Sequence, residues 1–186
     1  ILENLSPSEM KDLKKKADEA LEKSKREGIP LYQALEIPND LMDFTYNEAY
    51  RFYKNGLFEK AQKYFEFLFY LDQKNPNYML GIAACLQMRK YYASAIRVYD
   101  LLSFLIPDSP MPHFYIYECS MQLNNYDDAK LALENVIRLA ESNPQGNFDA
   151  VMQKAKLMLE QHNNFETPAK DGSNEETGQV AAEEKQ

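Results

Sequence analysis

The sequence predicts an all-α protein built from a repeated pair of helices. Alanine recurs every 34 residues in the middle of the chain, at Ala61, Ala95 and Ala129. An aromatic residue stands three positions before each alanine, and a large apolar or aromatic residue stands four positions after it. Segments with apolar residues at helical spacing flank this region on both sides. Together these patterns predict helices along most of the chain, with the core between successive helix pairs.

The period of 34 residues is typical of the tetratricopeptide repeat. With each alanine at position 20, the three units span residues 42–75, 76–109 and 110–143. Each unit is expected to be two antiparallel helices, and the alanine lets the second helix approach the first closely. Asn55-Gly56 and Asn124-Asn125 tolerate a left-handed backbone and stand where the turn between the helices should lie. We therefore expect three repeats that form a short right-handed superhelix with flanking N- and C-terminal helices.

Both flanks carry helix signals. Ser6, Pro7 and Glu9 are typical of a capped helix start, and Gly28 is a helix stop. A short helix is expected at 31–35, so residues 1–36 form an N-terminal helical region and a candidate dimerisation element. Residues 147–161 are predicted to form an amphipathic helix that covers the last repeat, which makes 37–161 the repeat domain with its cap. Residues 162–186 are polar and acidic, and we expect a disordered tail there.

Composition excludes several classes of function. The 186 residues contain 21 Lys and Arg and 29 Asp and Glu, which gives a net charge of −8. A negative protein is a poor ligand for nucleic acid or for an anionic membrane surface. No apolar run reaches the ~20 residues that a membrane-spanning helix needs. The two cysteines, Cys85 and Cys119, are expected to be small buried residues in a reducing, intracellular setting.

The sequence gives no support for catalysis. Neither His113 nor His162 has another histidine or a cysteine at metal-ligand spacing. The glycines are isolated, so no phosphate-binding loop is predicted, and no nucleophile motif is present. We therefore expect a protein that is not an enzyme and that needs no cofactor and no metal.

Binding is the function that the repeat pattern favours. In such a superhelix the first helix of each unit lines the concave face, through positions 2, 5, 9, 12 and 13. Groove positions 5 and 9 lack the Lys, Arg and Asn residues that clamp a terminal carboxylate, so an extended peptide with apolar anchors is the better expectation. The candidate groove residues are Tyr46, Tyr50, Tyr53, Leu80, Ala84, Gln87, Met88, Phe114, Glu118 and Met121.

Four stretches resemble the class II chaperones of bacterial type III secretion. They are residues 37–56, 65–72 and 78–87, together with the Glu118-Cys119 pair in the third repeat. The resemblance covers about residues 28–140. Two positions depart from the family pattern, because Tyr117 stands where a small residue is usual and Tyr115 where His is frequent.

The resemblance implies a cytoplasmic bacterial chaperone that takes part in virulence. Such proteins hold an unfolded N-terminal segment of a hydrophobic translocator in the concave groove and keep it soluble and ready for secretion. Some members also bind a transcription activator, and several form homodimers through the N-terminal region. Tyr46, Tyr50 and Tyr53 match the tyrosines of the family's groove, and Leu80, Ala84 and Gln87 match its middle pocket. The alternative is a general repeat scaffold that joins folded partners through its other surfaces.

Overall fold

The computed structural model describes residues 6–166, and these residues form nine α-helices, one short 3-10 turn and no strand. Residues 167–186, where most of the acidic tail was predicted, lie outside this range. The helices are α1 (Pro7–Glu27), α2 (Leu31–Ala34), α3 (Asn39–Lys54), α4 (Phe58–Leu71), α5 (Pro76–Met88), α6 (Tyr92–Leu105), α7 (Met111–Gln122), α8 (Tyr126–Ser142) and α9 (Asp149–Glu166).

The N-terminal helix begins and ends where its signals predicted. The backbone N–H of Glu9 donates to Ser6 Oγ at 3.3 Å, and the backbone N–H of Ser6 donates to Glu9 Oε2 at 2.8 Å. This reciprocal capping box satisfies two donors that the first turn would otherwise leave unpaired. At the other end Gly28 takes a left-handed conformation with φ of 66°. Within the helix Ala20 is buried, while Met10 and Leu13 are exposed, so α1 is attached to the domain through its second half.

The three repeats are the pairs α3–α4, α5–α6 and α7–α8. The marker alanines Ala61, Ala95 and Ala129 are fully buried. Each of them lies on the second helix of its pair, as the pattern predicted. The large residues four positions later, Phe65, Tyr99 and Leu133, are buried as well. The prediction of an all-helical tetratricopeptide architecture is confirmed.

The turn inside each repeat contains one left-handed residue. Its φ is 75° at Gly56, 65° at Lys90 and 55° at Asn124, and all three occupy position 15 of their units. Glycine and asparagine adopt this conformation at low cost. Asn55-Gly56 and Asn124-Asn125 predicted the first and third turns. Lys90 is not a residue type that is typical of turns, so the second turn could not be predicted from the sequence.

The two cysteines lie on equivalent positions of α5 and α7. Cys85 and Cys119 are both fully buried and unpaired, as expected. Burial raises the pKa of each thiol to about 12. Both therefore stay protonated at neutral pH and act as small apolar core residues.

The C-terminal helix covers the last repeat. Ala155 of α9 is buried in a cluster with Phe114, Leu133 and Val136. The helix continues to Glu166, so the predicted start of the tail at residue 162 is wrong by five residues. In this last part of the helix the His162 ring contacts the Tyr126 ring of α8 edge-to-face, with centroids 5.8 Å apart.

Candidate peptide-binding groove

The first helices of the three repeats share one open face, and a hollow of about 450 Å³ lies in its centre. We call it the central hollow. The α3, α5 and α7 helices supply most of its lining, and α4 and α6 each add one ring. The lining residues are Tyr46, Tyr50, Tyr53, Phe65, Asn77, Leu80, Gly81, Ala84, Gln87, Met88, Tyr99, Tyr115 and Glu118.

The three tyrosines of α3 form one wall but differ in accessibility. Tyr46 packs its ring against Phe65 and Tyr78, with centroids 5.9 Å away in each case. Tyr53 meets Phe58 edge-to-face at 5.4 Å. Tyr50 is 48% exposed, and the ammonium of Lys54 lies 5.7 Å from its ring centroid. Tyr50 is therefore the ring of this wall that is most available to a ligand.

Small residues on α5 make the floor of the hollow. Gly81 and Ala84 leave room, because neither places more than one carbon beyond the backbone. Leu80 lies beside them and is half-buried. A floor of this kind lets an aliphatic side chain of a ligand sit close to the α5 backbone. Such a contact buries apolar surface on both partners.

A row of hydrogen-bonded polar side chains from α6, α5 and α7 crosses the hollow. The Tyr99 hydroxyl donates to Gln87 Oε1 at 2.8 Å, and Gln87 Nε2 donates to Glu118 Oε2 at 3.1 Å. Burial raises the pKa of Tyr99, so its hydroxyl remains a neutral donor at physiological pH. Because Tyr99 donates at one end and the carboxylate accepts at the other, the orientation of the Gln87 amide is fixed.

A second hollow of about 600 Å³ continues the groove toward the C-terminal helix. We call it the distal hollow. It shares Gln87, Met88 and Glu118 with the central hollow, so the two form one continuous groove. Its remaining lining residues are Lys90, Tyr92, Tyr117, Met121, Gln122 and Met158.

Nine of the ten candidate groove residues line these two hollows. The exception is Phe114, and its predicted place in the groove is wrong. Its side chain is 6% exposed and packs with Leu133, Val136 and Ala155. The neighbouring Tyr115 takes the groove position instead and stacks on Tyr99 with ring centroids 5.0 Å apart. The bulk of Tyr115 is therefore part of the groove wall.

Sequence reasoning also missed other lining residues. Phe65 and Tyr99 occupy a core position of the repeat, and nothing in the sequence shows that one edge of each ring reaches the groove. Met158 belongs to the capping helix, whose location relative to the groove depends on tertiary packing. The signal that could have been used was Gly81, because a glycine inside a helix indicates a close approach.

The structure gives no support for a metal centre. Within residues 6–166, no group of three or more His, Cys, Asp and Glu side chains is arranged to hold an ion. His113 is half-buried near Asp100 and away from both hollows. None of the helices in this range is both long and apolar enough to traverse a bilayer.

Comparison with known proteins assigns the chain to a family. The chain is 30% identical to the chaperone protein SicA of Salmonella typhimurium over 141 residues, which is 76% of this chain and 82% of that protein. The chain belongs to the class II type III secretion chaperones. No protein-family model matches it.

Two solved structures of complexes share its architecture. PcrH with the chaperone-binding region of PopD superposes with a TM-score of 0.64 at 27% identity, over 70% of this chain and 97% of that one. The Yersinia enterocolitica chaperone SycD, in complex with a peptide of the translocator YopD, gives 0.64 at 27% identity, over 71% and 99%.

Proposed function

We propose that this chain binds an extended apolar segment of a hydrophobic translocator protein in the groove formed by the central and distal hollows. Binding keeps the translocator soluble and competent for secretion. The observation that carries the proposal is the continuous open groove lined by tyrosines, short aliphatic residues and methionines. PcrH and SycD, which share the fold, have been solved with translocator segments.

The lining matches the chemistry of such a segment. Tyrosine offers a flat apolar face and a hydroxyl while losing little conformational entropy. Each buried Leu or Val anchor of the ligand contributes about 1.5–3 kcal/mol. Three anchors together contribute about 4.5–9 kcal/mol before the cost of ordering the peptide is subtracted, so a micromolar Kd, which needs about −8 kcal/mol, also requires backbone hydrogen bonds and contacts outside the anchors. This affinity suits a carrier that must release its client.

Co-expression tests the proposal directly. The partner is a candidate hydrophobic secreted translocator protein, and the readouts are its solubility and its co-purification with the chaperone. Tyr50→Ala removes the accessible ring of the wall, and Leu80→Asp places a charge on the floor. We expect both variants to lose the complex; Tyr50→Ala should keep the thermal unfolding midpoint of the parent, and Leu80→Asp should lower it while the protein stays folded, because Leu80 packs against the core. Unchanged binding by two folded variants would refute the groove proposal.

A second candidate function is a scaffold that uses the surface of the second helices. Four large side chains, Phe67 and Tyr70 on α4 and Leu101 and Phe104 on α6, are 54–81% exposed at equivalent repeat positions. Tyr70→Ala and Phe104→Ala therefore serve as matched controls. The chaperone proposal predicts that they leave the complex intact. Loss of the complex with these variants, but not with the groove variants, would favour the scaffold.

Location and further partners belong to the same proposal. We infer a cytoplasmic protein, because a carrier must meet its client before export.

A homodimer through residues 1–36 agrees with the exposed Met10 and Leu13 on α1. A transcription activator is a further candidate partner, as in other members of the family. Light scattering of the full chain and of a Leu13→Glu variant tests the dimer.

A further inference from the structure

The central hollow contains one charged side chain among its thirteen lining residues, and this is Glu118. We propose that the segment bound in the groove places a Lys or Arg side chain on the Glu118 carboxylate, so that Glu118 selects clients with a basic residue among their apolar anchors. This inference rests on the proposed function and adds a rule for which segments bind.

The carboxylate is held in place and is only partly used. Glu118 Oε2 accepts the hydrogen bond from Gln87 Nε2, and Gln87 is itself fixed by Tyr99. Within residues 6–166, Oε1 of Glu118 accepts no hydrogen bond, and no Lys, Arg or His nitrogen lies within 4.0 Å of the carboxylate. The protein therefore orients this anion without neutralising it.

The cationic side chains near the two hollows interact with groups other than Glu118. The Lys54 ammonium lies against the Tyr50 ring. Arg89 donates to Gln62 Oε1 at 2.7 Å and stacks over Tyr91. Lys90 lines the distal hollow, but it forms no ion pair with Glu118. The net charge of −8 adds a negative field over the whole molecule, which favours a cationic ligand on approach.

Desolvation of the Glu118 carboxylate on peptide binding would make the groove prefer segments that carry a basic residue. A peptide that fills the central hollow removes water from a half-buried carboxylate that has tyrosine rings around it. A purely apolar segment would leave that charge unpaired, which is unfavourable, and an acidic segment would add repulsion. A Lys or Arg side chain pairs with the carboxylate and so compensates for its lost hydration. The methylene groups of that side chain can lie along the tyrosine faces. Glu118 is therefore a specificity-determining residue.

Selection from a displayed library of random 12-residue peptides tests the rule without knowledge of the natural client. The full chain is used as bait in five forms: wild type, Glu118→Gln, Glu118→Lys, Tyr50→Ala and the control Glu134→Gln. Glu134→Gln is the matched control, because Glu134 is exposed on α8, lies outside both hollows and loses the same charge. All baits are checked for an unchanged thermal unfolding midpoint.

We expect wild type and Glu134→Gln to select apolar peptides with one Lys or Arg at a constant distance from the anchors. Glu118→Gln should keep the anchors and lose the preference for the basic residue, and Glu118→Lys should shift it to Asp or Glu. Apolar peptides without a basic preference on wild type would overturn this inference and leave the proposed function standing. Failure to select anchored peptides, or selection that Tyr50→Ala does not weaken, would overturn the proposed function itself.

A double-mutant cycle then measures the pair. Replacing the selected Lys or Arg of one peptide by Ala should weaken binding to wild type roughly five- to thirtyfold, as expected for a partly buried ion pair. The same replacement should change binding to Glu118→Gln less than about twofold. Binding to wild type should also weaken as NaCl is raised. Equal losses on both proteins would show that the basic residue acts elsewhere.

Discussion

The backbone of Gly81 lies directly against the ring of Phe65. A Cβ added at Gly81 would stand 2.6 Å from ring atoms Cγ and Cδ1, well inside contact distance. Phe65 is buried on α4, and Gly81 is in the second turn of α5, so this contact sets how closely the first repeat approaches the second. The same approach creates the floor of the central hollow, because both residues line it.

Gly81→Ala should therefore destabilise the protein although alanine is the better helix former. The added methyl group must displace a buried aromatic ring, and overpacking of this kind costs about 1–3 kcal/mol. Urea unfolding of the full chain measures the loss. Phe65→Leu makes room for the methyl group, so the double variant should be more stable than the sum of the two single changes predicts. Additive losses would show that the ring is not the obstacle.

Lys90→Gly should raise stability. Lys90 has a φ of 65° at the turn between α5 and α6, a conformation that costs a residue with a Cβ about 1 kcal/mol. Glycine relieves this strain but loses more entropy on folding, which leaves a gain of about 0.5 kcal/mol. Thermal unfolding by circular dichroism measures it.

Gly56→Ala is the matched reverse change at the same repeat position. Nothing lies within 4 Å of a Cβ added at Gly56, so conformational strain alone should lower stability there by about 1 kcal/mol. A loss of stability in Lys90→Gly would mean that the Lys90 side chain stabilises the turn by more than its backbone strain costs.

Stability should fall as the pH is lowered through the titration range of His113. Burial lowers the pKa of His113 below its usual 6.5, and Arg138 adds to this, while Asp100 opposes it. The unfolded chain therefore takes up a proton at a higher pH than the folded protein. The stabilising effect is present above pH 6.5 and is lost as pH falls through the lower, folded pKa.

Urea unfolding between pH 8 and pH 5 checks this expectation. The loss should be below about 1 kcal/mol, since His113 is only half-buried. His113→Gln should flatten the profile in this range. Burial raises the pKa of Asp100, so the folded protein takes up the Asp100 proton first, and this favours folding at lower pH. A profile that His113→Gln leaves unchanged would assign the loss to other groups.

The repeat register was predictable because small residues leave a strict spacing in the sequence. Ala61, Ala95 and Ala129 are fully buried on the second helix of each pair. The face that each first helix turns toward the groove follows from the same register. This is why Tyr50 and Leu80, which line the central hollow, could be assigned to this face from the sequence alone.

The repeat register predicted the wrong groove residue in the third unit, where the helix packed next to the repeat is of a different kind. In the first two units, position 5 is Tyr46 and Leu80, and both line the central hollow. In the third unit position 5 is Phe114, whose ring is drawn into the core formed with α9, where Lys154 Nζ lies 4.6 Å from the ring centroid. A capping helix, not a fourth repeat, packs there. Repeat spacing does not encode that difference, so the structure was needed to find Tyr115.

The end of α9 gives a final prediction, which separates the tail from the helix. Composition predicts a dispensable tail from residue 162, but α9 continues to Glu166, so it is truncation after Glu166 that should leave the melting temperature unchanged. Truncation after Gln161 also removes the ring of His162 from Tyr126. An aromatic contact of this kind contributes about 0.5–1.5 kcal/mol, and the melting temperature should fall by about 1–6 °C. Differential scanning calorimetry of both truncations decides between these outcomes.

His162→Ala in the full chain should reproduce most of the loss of melting temperature, because it deletes the ring and keeps the helix. Equal melting temperatures for all four proteins would mean that the last turn of α9 adds nothing to the fold.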